Sequence, residues 1–343
     1  MRSSLVLALF AALPALADPL PRLTLVPREV TVSGLSSGAA MAVQIQTAFS
    51  SHVTGAGIVA GAPFGCAEGN VFVALNACMQ QEEGSIWVAD YPADPERILG
   101  VMARVEDSID PPEGLADDRI YLFHGTLDDT VSARAMTLLR DSYLAAGVPG
   151  QNIRFRNDVA APHAFLTEDN ADCPLVNPAF INACGIDMAG DILHQLGLLT
   201  RPRAEPVPGH LIRFEQDRYF NATLGLGNEA LVYIPATCAA GATCRLHIAL
   251  HGCQQGLQTK NGDAFATRTG FNGWAEANDI VVLYPQAKPT LNPLINPKGC
   301  WDWWGYSAGS LPGFESLGYL KKDAPQMAAI AAMAAALGAP LTE

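Results

Sequence analysis

Arg28 to Phe49 reads REVTVSGLSSGAAMAVQIQTAF. Val30 and Val32 alternate with Thr31 and Ser33, the period of a short strand. Gly34-Leu35-Ser36-Ser37-Gly38 follows, and then an Ala-rich run with Met41, Val43 and Ile45 that suits a helix. Strand, G-x-S-x-G and helix in succession make a nucleophile elbow. The turn is too tight for a side chain on either flank, which is why glycine stands at 34 and 38. Such a turn holds the Ser36 hydroxyl clear of the sheet, and the helix N-terminus behind it favours negative charge. Ser33 and Ser37 compete for the role, but neither has a glycine two residues away on both sides. A chance Gly/Ser turn is the plain alternative.

The chain has 343 residues, 49% hydrophobic and 16% charged, enough for a large buried core. Residues 1–17 stand apart. Arg2, an apolar run from Leu5 to Leu13 and Ala15-Leu16-Ala17 have the layout of a secretory signal peptide cleaved after Ala17. The run is too short to span a membrane, so no membrane insertion is expected. A formal charge of −13 argues against nucleic acid or anionic membranes as partners. The expected product is a soluble monomer outside the cytoplasm, extracellular or periplasmic. Eight cysteines in an exported chain imply disulfides. Eight cysteines allow 105 connectivities, so the pairing stays open; local proximity suggests Cys66 with Cys78, Cys173 with Cys184 and Cys238 with Cys244, which would leave Cys253 for Cys300. A zinc site is the alternative, but there is no C-x-x-C pair and no histidine at ligand spacing. Asn221-Ala222-Thr223 is a glycosylation sequon, meaningful only in a eukaryotic secretory pathway.

Downstream of the elbow, Gly57–Gly61 reads as a buried strand, and residues 79–115 as helix pieces and loops. Asp118–Phe123 is a strand running into HGTLDDTV, and Ser132–Ala146 is a helix. Ile153–Arg156 is a strand ending near Ala161-Pro162-His163. Ser36, Asp128 and His163 therefore follow in the order Ser, Asp, His, each after a strand, the order of an α/β-hydrolase triad. Asp129 rivals Asp128, and either could merely cap a turn. His124 and His251 lie in H-G turns and read as structural. A helix is expected over Ile186–Leu198, and the Pro-rich segment 201–209 (RPRAEPVPG) is the best candidate joint in the chain.

Beyond that joint come a strand pair within His210–Pro235, a strand over Arg245–Leu250 leading into HGCQQG, a helix over about Asp263–Asn278, a strand over Asp279–Tyr284 and a last helix over Tyr319–Leu337. These are the parts that precede the elbow in an α/β hydrolase. The expected fold is thus a circularly permuted α/β-hydrolase fold, a mostly parallel central sheet flanked by helices, with 18–343 as one domain. Domain termini lie at the surface, often close together, which makes such recutting tolerable. A two-domain chain is the alternative, but neither half alone contains a nucleophile, an acid, a base and an oxyanion loop. The oxyanion donors expected here are the backbone N–H groups of Ser37 and Cys253. Cys253 as a thiol nucleophile is disfavoured by the oxidising compartment.

GLSSGAAMA, AGAPFGCA, HGTLDDTV, the CPL to INACGIDMAGDIL segment, CRLHIALHGCQQ and GCWDWWGY together resemble the secreted polyhydroxybutyrate depolymerases in their circularly permuted single-domain form. The resemblance covers most of the mature chain. It implies a serine esterase acting on poly(3-hydroxybutyrate) or related short polyesters, favours Asp128 over Asp129, and implies no cofactor or metal. It also points to Trp301, Trp303 and Trp304 as substrate-binding, because a tryptophan lines the polyester crevice in that family; it does not say which ring, Trp304 and Trp303 are favoured, and core packing is the plain alternative for at least one of them. No Thr/Ser-rich linker or second module follows, so oligomers and amorphous polymer are expected substrates rather than crystalline granules. Feruloyl or acetyl esterases of plant polysaccharides resemble the same family and share the triad. A catalytically silent binding protein on the fold is the reading from another class.

Overall fold

The structure is a computed structural model describing residues 19–80, 90–92, 94–169, 173, 175–221, 225–292, 294–307 and 316–343. The signal segment and residues 222–223 of the sequon lie outside the described residues. Strand β1 (Val30–Leu35) enters the elbow and helix α1 (Ser37–Ala48) leaves it. Every residue of both is buried, so β1 and α1 form the middle of the molecule. Strands β2 (Val53–Val59), β3 (Arg119–Phe123) and β4 (Ile153–Arg156) lie to one side of β1. On the other side are β9 (Arg245–Leu250), β10 (Ile280–Tyr284), β8 (Glu229–Tyr233) and β7 (Leu211–Glu215). The pairs from β4 across to β10 are parallel, and only β10–β8 and β8–β7 are antiparallel. Residues from both sides of segment 201–209 thus build one eight-stranded sheet, with the antiparallel pair late in sequence. This is the strand order of an α/β-hydrolase sheet recut just before its elbow strand. A separate two-stranded parallel sheet joins β5 (Phe165–Thr167) to β6 (Ile181–Ala183).

The helices are shorter than the hydrophobic pattern predicts, and each boundary has a local cause. Helix α2 (Pro95–Ala103) starts where the Asp94 carboxylate accepts the Glu96 N–H at 2.9 Å. Helix α3 (Ala133–Ala145) begins at Ser132, whose hydroxyl accepts the Ala135 N–H at 3.2 Å. Helix α4 (Met188–Gln195) is capped by Asp187 and followed by Gly197 at φ 72°. The helix expected over Asp263–Asn278 is two, α5 (Ala264–Arg268) and α6 (Phe271–Asn278), because Gly270 between them has φ 92°. The last helix, α7 (Pro325–Leu337), starts six residues later than Tyr319 and puts its proline in the first turn, where no N–H is needed. Four disulfides join Cys66–Cys78, Cys173–Cys184, Cys238–Cys244 and Cys253–Cys300.

One buried carboxyl sits at the foot of β3. The Asp118 carboxyl accepts from the Gln46 amide of α1 at 2.6 Å, and the Tyr143 hydroxyl of α3 donates to the same amide's oxygen at 2.6 Å. Burial pushes the Asp118 acid up to about 8, against the pull of the Gln46 hydrogen bond. An unfolded aspartate releases its proton near pH 4, so between about pH 4 and 8 the native state holds a proton that the unfolded chain has lost. Stability must fall as pH rises through that window, by at most about 1.4 kcal/mol per pH unit. Asp118→Asn should flatten the dependence of melting temperature on pH from 5 to 8 and raise the value at pH 8. Calorimetry across that range checks it, and an unchanged slope in the variant would contradict it.

Candidate active site

Ser36 is left with φ 58° and ψ −121°, a conformation most residues avoid. What forces it is the packing of its two glycines. A Cβ on Gly34 would lie 2.3 Å from the Gly38 carbonyl carbon, and one on Gly38 would lie 2.3 Å from the Leu250 oxygen at the end of β9. Ser36 itself is tied at both ends, its N–H to Val59 O at 2.9 Å and its carbonyl to the Ala40 N–H at 3.0 Å. Its side chain faces a cavity of about 550 Å³. The two competing serines are engaged elsewhere. Ser33 is fully buried, its hydroxyl 2.8 Å from His247 Nε2, and the Ser37 hydroxyl accepts the Trp301 N–H at 3.3 Å.

The loop after β3 carries Asp128 and the loop after β4 carries His163. The two loops are laced together by the Thr126 N–H to Val159 O at 2.8 Å and the Leu127 N–H to Ala161 O at 3.1 Å. Asp128 Oδ2 accepts from His163 Nδ1 at 2.7 Å, and its Oδ1 accepts the N–H groups of Thr130 and Val131, each at 2.9 Å. The carboxylate is only 1% exposed. An ionised carboxylate can only accept, so the proton of a neutral His163 sits on Nδ1 and Nε2 is free. His163 lines the same cavity as Ser36. Asp129 is exposed, its carboxylate reached by the Thr130 hydroxyl at 3.5 Å. Two other buried histidines have structural partners. His124 Nε2 lies 2.9 Å from Val131 O, and His247 bridges Thr31 and Ser33 with its pKa lowered by burial to about 3. A serine and an imidazole facing one cavity, the imidazole held by a buried carboxylate, can run nucleophilic acyl transfer.

Two N–H groups stand beside Ser36 unspent. Among the described residues, neither the Ser37 N–H, at the start of α1, nor the Cys253 N–H donates to another group. Both residues line the cavity. Among the described residues, no group of three His, Cys, Asp or Glu side chains is placed to hold a metal ion. Nor is any described helix long and apolar enough to cross a membrane.

No family model matches the chain. It is 33% identical over 305 residues to a polyhydroxybutyrate depolymerase of Talaromyces funiculosus, covering 84% of this chain and 86% of that protein. The chain belongs to the polyhydroxybutyrate depolymerase family. It is 38% identical over 323 residues to a poly(3-hydroxybutyrate) depolymerase of Delftia acidovorans, covering 92% of this chain but 60% of that longer protein. Among solved structures, a PHB depolymerase from Penicillium funiculosum superposes with a TM-score of 0.78 at 28% identity, over 93% of this chain and 99% of that one. A serine-to-alanine PHB depolymerase complexed with an R3HB trimer superposes with the same score and coverage.

The aromatic segment divides in a way its sequence does not reveal. Trp303 and Trp304 line the cavity, at a ring separation of 5.8 Å and nearly perpendicular to each other. Trp301 does not line it, a correction to the sequence reading. It is fully buried, and its indole N–H donates to the His251 carbonyl at 2.9 Å, so it braces the loop behind Cys253. The Cys253–Cys300 bridge fastens that loop to the tryptophan segment. Phe180, at φ 54°, adds an aromatic wall 6.4 Å from the His163 ring. Leu75, in the helical segment Ala74–Gln80, and Leu294 add exposed aliphatic side chains to the lining. No pattern in the sequence marks these three residues, since each sits in a segment without periodicity.

A fluorophosphonate should label Ser36 and no other serine. Asp128→Asn should slow the labelling by about 10⁴-fold, because the imidazole loses the acceptor that fixes its tautomer. Mass spectrometry of labelled peptides reads both. Labelling at Ser33 or Ser37, or an undiminished rate in the variant, would refute the arrangement.

Proposed function

We propose that this chain is an exported serine esterase that cleaves poly(3-hydroxybutyrate) or related short-chain hydroxyalkanoate esters. Ser36 Oγ attacks the ester carbonyl while His163 Nε2 takes its proton. The new carbonyl oxyanion is held by the N–H groups of Ser37 and Cys253. Collapse breaks the ester C–O bond, His163 returns the proton to the leaving hydroxyl, and an acyl group remains on Ser36. Water then repeats the sequence and frees the acid. Asp128 keeps the imidazole in the required tautomer and stabilises it when charged.

The observation that carries the choice of substrate is the character of the cavity. Among the described residues, the lining beside Ser36 and His163 is mostly Phe180, Trp303, Trp304 and aliphatic side chains, with the uncharged polar Thr130, Gln254, Gln255 and Asn296, and Lys298 is its only lysine, arginine or carboxylate. That lining suits an uncharged aliphatic ester chain better than a polyhydroxylated sugar. Export is supported by the layout of residues 1–17 and by the four disulfides. A single catalytic domain over 18–343, jointed near 201–209, is supported by the sharing of one sheet across that segment.

Hydroxybutyrate products from amorphous poly(3-hydroxybutyrate), measured for the wild type beside Ser36→Ala, test the reading. Methyl ferulate runs in parallel. The expected outcome is polymer hydrolysis that disappears in the variant. Ferulate release without polymer hydrolysis would move the substrate to plant-wall esters, and full activity of Ser36→Ala would remove the nucleophile.

A further inference from the structure

One charged group in the cavity serves no step of ester cleavage. Lys298 lines the cavity, and among the described residues its ammonium has neither a hydrogen-bond nor an ion-pair partner. The side-chain amide of Gln254, which lines the same cavity, is equally unspent among the described residues. The two residues are neighbours in space. The Gln254 N–H donates to the Lys298 carbonyl at 2.7 Å, and the Cys253–Cys300 bridge ties together the same two segments. Asn296 braces the lysine's segment, accepting the Cys300 N–H at 2.9 Å and donating to the Cys300 carbonyl at 2.8 Å. The backbone is thus fixed close to Cys253, while the lysine itself is exposed.

The interior of a hydroxyalkanoate chain offers such a cation no opposite charge. The chain is charged at one place only, the carboxylate at its end. Hydrolysis makes more of these ends. Each cut consumes one water and leaves a hydroxyl on one fragment and a carboxylic acid on the other, ionised above about pH 4. Counted from any ester bond, the terminal carboxylate lies on the side of the leaving alcohol. With a formal charge of −13 the protein as a whole repels anions, so a carboxylate end is held only where a cation meets it locally. Lysine suits that task, being a point charge with three donors on a flexible stem.

We propose that Lys298, helped by the Gln254 amide, is a specificity-determining residue that binds the terminal carboxylate of the leaving fragment. The inference rests on the esterase reading of Ser36 and deepens it. It makes short chains with a free acid end better substrates than the interior of a long chain, where no charge comes within reach of the lysine.

A 3-hydroxybutyrate trimer, as the free acid and as its terminal amide, isolates the charge. The wild type should cleave the acid with the higher kcat/KM. Lys298→Met keeps the apolar stem and removes the charge. It should lower the acid-to-amide ratio of kcat/KM by about fivefold, the upper scale for an exposed ion pair, and should do so through KM. Lys298→Arg should keep most of the ratio. Raising salt from about 20 mM to about 500 mM should shrink the wild-type preference, because screening weakens exposed charge pairs. A ratio unchanged in Lys298→Met, or a loss shared equally by acid and amide, would overturn the proposal. A wild type that cleaves neither trimer, or a fully active Ser36→Ala, would count against the esterase reading instead. Calorimetric binding of both trimers to Ser36→Ala, with and without Lys298→Met, then decides without turnover. Tighter binding of the acid, lost with the lysine, is required, and equal binding of acid and amide refutes it.

Discussion

The site depends on one backbone contact. Gly38, in the first turn of α1, passes so close to the end of β9 that a Cβ there would lie 2.3 Å from the Leu250 oxygen and 2.4 Å from the His251 oxygen. That contact brings the Ser36 turn and the loop after β9 together, although they are more than two hundred residues apart in sequence. It also explains the strand order. β1 must lie beside β9 for the approach to occur, and it does, in parallel register from Thr31–His247 to Gly34–Leu250. Permutation has moved the ends of the chain without touching this pairing. The cut falls before β1, at the surface, and the geometry around Ser36 is the geometry of a sheet centre.

Around that contact, nearly every polar group is already committed. Asp128 uses both oxygens, Gln255 spans from the Gly252 N–H to the Ala179 carbonyl, and His247 is closed between two hydroxyls of β1. Commitment of this kind makes the few free groups effective. An N–H already oriented, in a site lined by apolar side chains, needs no reorganisation when charge develops on a substrate oxygen. The network behind the tryptophans works in the same sense. Asp302 is buried without a cationic partner among the described residues, and its carboxylate accepts from the N–H groups of Gly305, Tyr306 and Ser307 and from the Ser307 hydroxyl. Burial raises its pKa, and these four hydrogen bonds oppose the rise. The result is a tight turn that contains Trp303 and Trp304, so the cavity wall is set by backbone geometry rather than by packing alone.

What could be read from the sequence was what leaves a local trace. The elbow shows because a tight turn excludes side chains at two fixed positions. Asp128 and His163 show because each lies in the loop that follows a strand. Cys66, Cys78, Cys238 and Cys244 show because short separations limit their partners. The helix boundaries were less visible. Hydrophobic periodicity runs through Gly270, where the chain reverses its φ, and the Ala-rich run before Leu337 hides that Pro325 opens the helix. The roles of the three tryptophans were invisible for another reason. Alternation places side chains only when the backbone is regular, and 301–307 is an irregular turn in which Trp301 faces the core and its neighbours face the cavity. Phe180 escaped notice altogether, since nothing near it in sequence announces a left-handed φ.

The position of two disulfides follows from the chemistry of the cavity. A wall built for an uncharged aliphatic chain must leave apolar side chains accessible, and Leu75 and Leu294 are exposed at its edge, with Phe72 exposed close to Leu75 in sequence. Those residues contribute little burial energy to their own segments, which therefore lack part of the usual force that would hold them in one shape. Covalent cross-links supply order that does not depend on burial. Cys66–Cys78 closes the segment carrying Phe72 and Leu75, and Cys253–Cys300 closes the segment carrying Leu294 while reaching the oxyanion loop itself. The apolar wall and its disulfide staples are thus parts of one solution, and each would be harder to explain without the other.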